Sequence, residues 1–190
     1  MKAIPLILVL VLAAPSWVGG QTAPQGPPEV FVGTASAKNA VAAASGKLEV
    51  RLRRITPEFD RKSVETALQQ GGYGQFLTAI RNAPEVGQVV LAGGKPYSIR
   101  YARERADANG RTLILVTDRP MFFVGGAQAE AVPRKGYEVA VIQIQMGAKG
   151  VGNGSMAAAA RVRPDGDGGV LLDDFADVLI TITDISRKPS

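Results

Sequence analysis

The chain of 190 residues contains no cysteine and no histidine. The lack of cysteine excludes disulfides, thiolate metal sites, iron–sulfur clusters and thiol nucleophiles. The lack of histidine excludes a Ser-His-Asp triad, His-ligated zinc or haem, and any side chain whose unperturbed pKa lies near neutrality. Since these absences remove most familiar hydrolase and metalloenzyme sites, we assign no catalytic residue, no metal ligand and no cofactor from the sequence.

The first twenty residues have the pattern of a secretory signal peptide. Lys2 is their only charge, an apolar run spans Ile4–Ala14, and the small residues Val18–Gly20 precede the expected cleavage site. The apolar run is shorter than the roughly 20 residues of a membrane span, although a retained N-terminal anchor is the alternative. We therefore predict a secreted or periplasmic protein, whose mature chain has no transmembrane span.

The remaining sequence predicts one domain. Residues Gln21–Pro28 are rich in proline and polar side chains and predict a disordered leader. Residues 29–190 have the length of a single β-rich domain. Loss of Lys2 leaves 21 basic and 17 acidic groups, and this excess of +4 is spread along the chain. So mild and dispersed an excess does not favour nucleic acid as a partner.

Alternating apolar and polar residues predict short strands with one solvated face. Leu48, Val50 and Leu52 alternate with charged residues, which favours antiparallel pairing. Further strands are expected at Gln88–Ala92, in a hairpin over Tyr97–Thr117, and at Tyr137–Met146, Ser155–Arg163 and Asp177–Ile185. We predict an α+β fold of about eight mainly antiparallel strands, forming either a sandwich or a partly closed barrel.

One segment near residues 57–83 has helical periodicity instead. Tyr73, Phe76, Leu77 and Ile80 form one apolar stripe. The pair Gly71–Gly72 lies before that stripe, so we predict a two-helix insert packed on the sheet, with a positive φ at one of the two glycines.

Two glycine-rich segments resemble ligand loops only superficially. The segment Gly147–Ser155 lacks the Gly-Lys-Ser/Thr that opens a helix in a phosphate-binding loop, so a hairpin turn is the better interpretation. The segment that begins at Asp165 lacks calcium ligands at its fifth and twelfth positions, Gly169 and Ala176. A solvated acidic turn is therefore expected there.

Two kinds of enzyme could work without histidine: a serine enzyme with lysine as its base, and a hydrolase with paired carboxylates. The Ser-x-x-Lys spacing of the first kind is not found in the sequence. Paired carboxylates remain an alternative for a hydrolase of envelope material. Sugar sites usually offer aromatic platforms, but the only tryptophan, Trp17, leaves with the predicted signal peptide. This makes a glycosidase less favoured.

The most distinctive stretch is Asn109–Phe123, where a strand ends in charged and aromatic residues. We name a candidate ligand-binding set there and on the preceding strand: Arg119, Phe122, Phe123, Tyr97 and Tyr101. In the functional interpretation, Arg119 meets an anionic ligand and the aromatics line a pocket. In the structural interpretation, the charges pair locally and the aromatics enter the core. Arginines on predicted strands, such as Arg51, Arg53, Arg161 and Arg163, are interpreted as a solvated face.

Two short motifs carry a resemblance. Thr117–Pro120 (TDRP) and the closing stretch Phe175–Thr181 make residues 47–186 similar to uncharacterised secreted bacterial proteins that have a signal peptide and the same strand end. The resemblance implies no activity and no functional residue.

The sequence therefore favours a non-enzymatic secreted or periplasmic domain that binds a small ligand or an envelope partner. The alternatives are a carboxylate-dependent hydrolase and a structural or assembly protein of the envelope.

Overall fold

The computed structural model describes residues 27–38, 43–108, 110–121, 134–176 and 178–188. These residues form nine strands and one helix. The elements are β1 (Glu29–Lys38), β2 (Ala43–Leu52), α1 (Glu58–Asn82), β3 (Gly87–Leu91), β4 (Tyr97–Asp107), β5 (Gly110–Thr117), β6 (Val139–Gly147), β7 (Val151–Pro164), β8 (Val170–Phe175) and β9 (Leu179–Lys188). The predicted signal peptide and most of the predicted leader lie outside the described residues.

Eight of the strands close into an antiparallel barrel. Strands β1 to β7 pair in chain order, and β9 lies between β7 and β1. Strand β8 pairs with β7 outside this ring. Closure leaves no free edge within the ring. The prediction of mainly antiparallel strands is confirmed, and of the two predicted arrangements, a sandwich and a partly closed barrel, the structure has the barrel.

The barrel interior is filled with apolar side chains. On β2, the predicted trio Leu48, Val50 and Leu52 is at most 3% exposed. Phe31 on β1 and Ile142 on β6 lie in the same inner cluster. A barrel of eight strands is just wide enough for side chains to fill it, so its stability follows from the alternation that the sequence shows.

A second apolar cluster lies on the outer face of the barrel. Tyr101, Ile114 and Val141 point outward from β4, β5 and β6 and meet α1 and the end of β7. From α1 come the apolar residues Val64, Leu68, Phe76 and Ile80. The helix therefore packs on the sheet, as its apolar stripe predicts.

The predicted two-helix insert is corrected to one helix. Gly72 adopts φ 66° and ψ −166°, and the helix resumes at Tyr73 without an intervening turn. Only glycine occupies that backbone region readily. Gly72 has the positive φ that was predicted for one of the two glycines, so this one non-helical residue kinks α1. The helical stretches on both sides of the kink lie on the same outer cluster.

Strand assignments near the glycine-rich segment also change. The turn after β6 is confined to residues 148–150, and β7 begins at Val151. A Cβ on Gly152 or Gly154 would lie 2.0 or 2.2 Å from a carbonyl oxygen of β6. These glycines therefore allow β7 to approach β6 closely, within a hairpin.

Candidate functional site

Two of the sequence-predicted ligand residues lie together. The Arg119 guanidinium is 5.2 Å from the centroid of the Tyr97 ring, and Arg119 Nη2 donates to the Pro96 carbonyl oxygen at 3.2 Å. Arg119 is exposed, whereas Tyr97 packs against the inner cluster. Phe122 and Phe123 lie outside the described residues. This part of the predicted site is thus a cation–π pair at one end of the barrel.

Tyr101 is placed apart from that pair. Its ring is fully buried in the outer cluster, and its hydroxyl donates to Glu65 Oε1 on α1 at 2.7 Å. Burial raises the pKa of Tyr101, and the hydrogen bond to Glu65 raises that pKa further. The structure therefore gives Tyr101 the role of fastening α1 to β4.

The TDRP motif forms a tightly bonded strand end. Thr117 Oγ1 donates to the Arg119 carbonyl oxygen at 2.6 Å and accepts from the Ala140 backbone N–H at 2.9 Å. Asp118 Oδ2 accepts from Arg100 Nε at 3.0 Å, and Pro120 is buried. The charge of Asp118 is therefore paired locally, which is the arrangement that the structural interpretation of this stretch describes.

A cluster of buried charges joins α1, β4 and the turn between β7 and β8. The Glu65 carboxylate, 8% exposed, accepts from Arg61 Nη1 at 2.9 Å and from Arg103 Nη1 at 3.5 Å. The Asp165 carboxylate, 4% exposed, pairs with Arg105. Each buried carboxylate therefore has a guanidinium partner, as buried charges require.

The prediction of a solvated acidic turn is wrong for Asp165, whose side chain is only 4% exposed. Asp165 Oδ1 accepts from the backbone N–H groups of Asp167 and Gly169 at 2.9 and 2.6 Å. Its other oxygen faces Arg105. Both oxygens are therefore engaged within the turn and its neighbouring strand.

The other arginines on predicted strands are largely paired at the surface. Arg51 Nε donates to Glu49 at 2.7 Å, and Arg161 Nε donates to Asp173 at 2.8 Å. The first of these hydrogen bonds lowers the pKa of Glu49. The positive charges on these two strands thus have nearby carboxylates.

Another charged site lies at the opposite barrel end, where β1 begins and β9 ends. We call this end the barrel mouth. Arg111 on β5 reaches Glu29 on β1, and these strands are diametrically opposed in the ring of eight. Arg111 Nη2 donates to Glu29 Oε1 at 2.7 Å, while its Nη1 donates to Glu104 Oε2 at 3.2 Å. Arg187 Nη1 donates to the same Glu29 oxygen at 2.9 Å. The ion pairs therefore bridge the mouth.

The Arg111 guanidinium also lies over the ring of Phe31, which belongs to the inner cluster. The guanidinium lies 5.6 Å from the centroid of that ring, and Phe31 is only 1% exposed. The hydrogen bond to Glu29 is the largest cause that raises the pKa of Arg111. The guanidinium therefore stays charged across the physiological pH range.

A depression of about 350 Å³ lies beside Arg111. Its polar lining includes Glu104, Arg111 and Arg187. Its remaining lining is apolar or without side chains and consists of Ala106, Gly110, Met146, Gly147, Ala148 and Gly150. The volume is at the lower end of the range for small-ligand sites. Two guanidiniums beside an apolar floor are suited to bind an anion that has a short apolar part.

The site at the barrel mouth is not among the sequence predictions, although its signal in the sequence is local. Arg111 continues the inward phase of Leu113 and Leu115, and Glu29 continues that of Phe31. Charges in phase with core residues at strand ends indicate a barrel mouth. Instead, the arginines on predicted strands, Arg111 included, are interpreted from the sequence as a solvated face.

Within the described residues, no helix has both the length and the apolar character needed to cross a membrane. The same residues contain no group of three carboxylates placed to hold a metal ion. No protein-family model, curated protein or solved structure matches this chain.

Proposed function

We propose that the protein is an exported, non-enzymatic binding domain that holds a small anionic ligand at the barrel mouth. The observation that carries this proposal is the convergence of Arg111 and Arg187 beside the depression of about 350 Å³. Guanidinium groups bind carboxylates and phosphates through several hydrogen bonds at once. Arg187 is half exposed, so part of its donor capacity faces solvent.

Binding is better supported than catalysis. A carboxylate-dependent hydrolase needs one carboxyl group to donate a proton and another to act as base or nucleophile. Glu65 and Asp165 are buried and held by arginines. At the mouth, Glu29 and Glu104 both accept from Arg111. These contacts make the four carboxylates hydrogen-bond acceptors of arginines, which does not match the acid and base pair that such a hydrolase needs.

The filled interior of the barrel supports a ligand site at the mouth rather than a carrier site inside the barrel. Ile142 and Ile144 from β6 and Met156 from β7 are fully buried in the interior. An internal ligand would have to displace close-packed side chains of this kind, which is costly. The depression at the mouth takes a ligand without disturbing them.

The methionines allow a direct test. Met146 lines the depression, whereas Met156 lies in the barrel interior. We would label the methionine methyl groups and titrate the protein with sodium butanoate, with sodium chloride at equal ionic strength as reference. The Met146 methyl signal should move saturably with butanoate, and the Met156 signal should stay in place.

Matched arginine variants then locate the binding. Arg187→Gln should abolish the saturable shift because it removes one of the two guanidiniums. Arg163→Gln should leave it unchanged, because Arg163 is an exposed residue of β7 that lies near Asp173. A Met146 signal that responds equally to chloride, or that does not saturate, would contradict the proposed function.

Export is tested separately, because the mouth does not depend on it. Mass spectrometry of the protein from the cell envelope should give an N-terminus at Gln21, since cleavage is expected after Gly20. A chain that retains residues 1–20 would contradict the signal-peptide prediction and favour the anchor.

A further inference from the structure

We propose that Glu29 is a built-in competitor for the ligand, and that the ligand is a monocarboxylate with a short aliphatic chain. This inference rests on the proposed function of the barrel mouth. Its central observation is that Arg111 Nη2 and Arg187 Nη1 donate to one and the same oxygen, Glu29 Oε1, at 2.7 and 2.9 Å. The two donors are therefore already spaced around a carboxylate oxygen.

The position of Glu29 allows its side chain to leave without a change of fold. Its backbone is fixed as the first residue of β1, where it pairs with Leu52 of β2. Its carboxylate lies at the rim and is 16% exposed. Rotation of this side chain toward solvent would free the two guanidiniums and keep the strand pairing. A ligand carboxylate would then take the place of the Glu29 carboxylate.

The carboxylates of Glu29 and of the ligand cannot occupy the same position between the two guanidiniums at once. A second anion near Glu29 Oε1 would meet like-charge repulsion as well as the loss of shared donors. Glu104 adds a further negative charge, 3.2 Å from Arg111 Nη1. Both effects favour a ligand with one negative charge over a phosphate with two.

The floor of the depression indicates the rest of the ligand. Ala106, Met146 and Ala148 contribute apolar atoms to the lining, and Gly110 and Gly147 add no side chain to it. A short aliphatic chain that follows the carboxylate would bury its surface there. A strongly polar body would lose hydration without finding partners on this floor.

The decisive experiment compares butanoate affinity between the wild type and Glu29→Gln, followed by the Met146 methyl signal. Glutamine keeps the size of the side chain and removes the competing charge. We expect Glu29→Gln to bind butanoate on the order of tenfold more tightly. The matched control is Glu49→Gln on β2, whose carboxylate pairs with Arg51 and Lys47 and not with the mouth. This control should keep the wild-type affinity.

Each outcome separates the two proposals. If the wild type binds butanoate and Glu29→Gln binds it equally or more weakly, the competitor role is wrong and the binding site stands. If none of the proteins binds butanoate, the proposed function fails, and this inference fails with it. If inorganic phosphate binds the wild type more tightly than butanoate at equal ionic strength, the monocarboxylate class is wrong.

A second variant guards against a folding defect in Glu29→Gln. Glu29→Asp keeps the charge but shortens the side chain by one methylene, so its carboxylate reaches the guanidiniums less well. We expect its butanoate affinity to lie between those of the wild type and Glu29→Gln. An unchanged Met156 signal reports an intact interior in every variant, and an affinity of Glu29→Asp below that of the wild type would overturn the inference.

Discussion

Replacement of Gly72 by alanine tests whether the bend in α1 is imposed by the fold. The backbone of Gly72, at φ 66° and ψ −166°, lies in a region that is essentially reserved for glycine. A Cβ at this position would meet nothing within 4 Å. The cost of Gly72→Ala therefore comes from the backbone alone and not from a steric clash.

The magnitude follows from two opposing contributions. Strained backbone of this kind costs about 1–3 kcal/mol, and alanine in a region reserved for glycine lies toward the upper end of that range. The reduced freedom of the unfolded chain offsets about 0.4–1 kcal/mol of that cost. We therefore expect the free energy of unfolding to fall by about 2 kcal/mol. In a domain of this size, this corresponds to a decrease in Tm of about 4–8 °C.

Gly74 provides the matched control within the same helix. A Cβ on Gly74 also meets nothing within 4 Å, but its φ is not positive. Gly74→Ala should therefore stabilise the protein by about 0.5–1 kcal/mol through helix propensity. Circular dichroism during thermal and urea unfolding measures both variants. If Gly72→Ala stabilises the protein as Gly74→Ala does, α1 can run straight and packing does not impose the bend.

Three further substitutions test the contacts that fasten the elements to one another. Tyr101→Phe removes the hydroxyl that bonds to the buried carboxylate of α1 and should lower the free energy of urea unfolding by about 1–3 kcal/mol; no change would show that the bond is dispensable. Thr117→Val leaves the buried Ala140 N–H without its partner at 2.9 Å and should cost about 1–3 kcal/mol, whereas a value near zero would mean that water replaces the hydroxyl. The pKa of Asp174 is held below its ordinary value of 3.8, mainly by the hydrogen bond from the Tyr137 hydroxyl. Because a depressed pKa stabilises the fold above the ordinary value, this contribution should be lost as pH falls through the folded pKa. Unfolding of wild type and Asp174→Asn from about pH 6 downward should therefore converge in acid, and a constant difference would refute the linkage.

Local alternation explains how much of the fold was predictable. The hairpin of β4 and β5 and the inward trio of β2 followed from period-two patterns that end at turn residues. Strand β8 was missed because the second half of Val170–Phe175 is acidic and a register shift lies opposite it, between Arg161 and Val162. Bulges of this kind break the alternation on which the prediction depends.

Closure of the barrel could not be predicted from local sequence patterns. The pairings of β1 with β9 and of β6 with β7 select a barrel over a sandwich, and the first of them joins residues from opposite ends of the domain. The same limit applies to the mouth, where Glu29 and Arg187 are 158 positions apart. Arg111 and Glu29 nevertheless carried a local signal, because each is a charged residue in phase with inward-facing core residues.

The pairing of β1 with β9 also determines when the proposed binding site is complete. Strand β1 has only β2 beside it until β9, the final strand of the described chain, has been synthesised and has folded onto it. Contacts of such long sequence separation form late and slow folding, which would suit the proposed export of an unfolded chain. Arg187 lies on that same final strand, so the proposed site is completed only when the barrel is closed. Ligand binding would consequently report complete folding, and a bound ligand would hold the last strand in place by mass action.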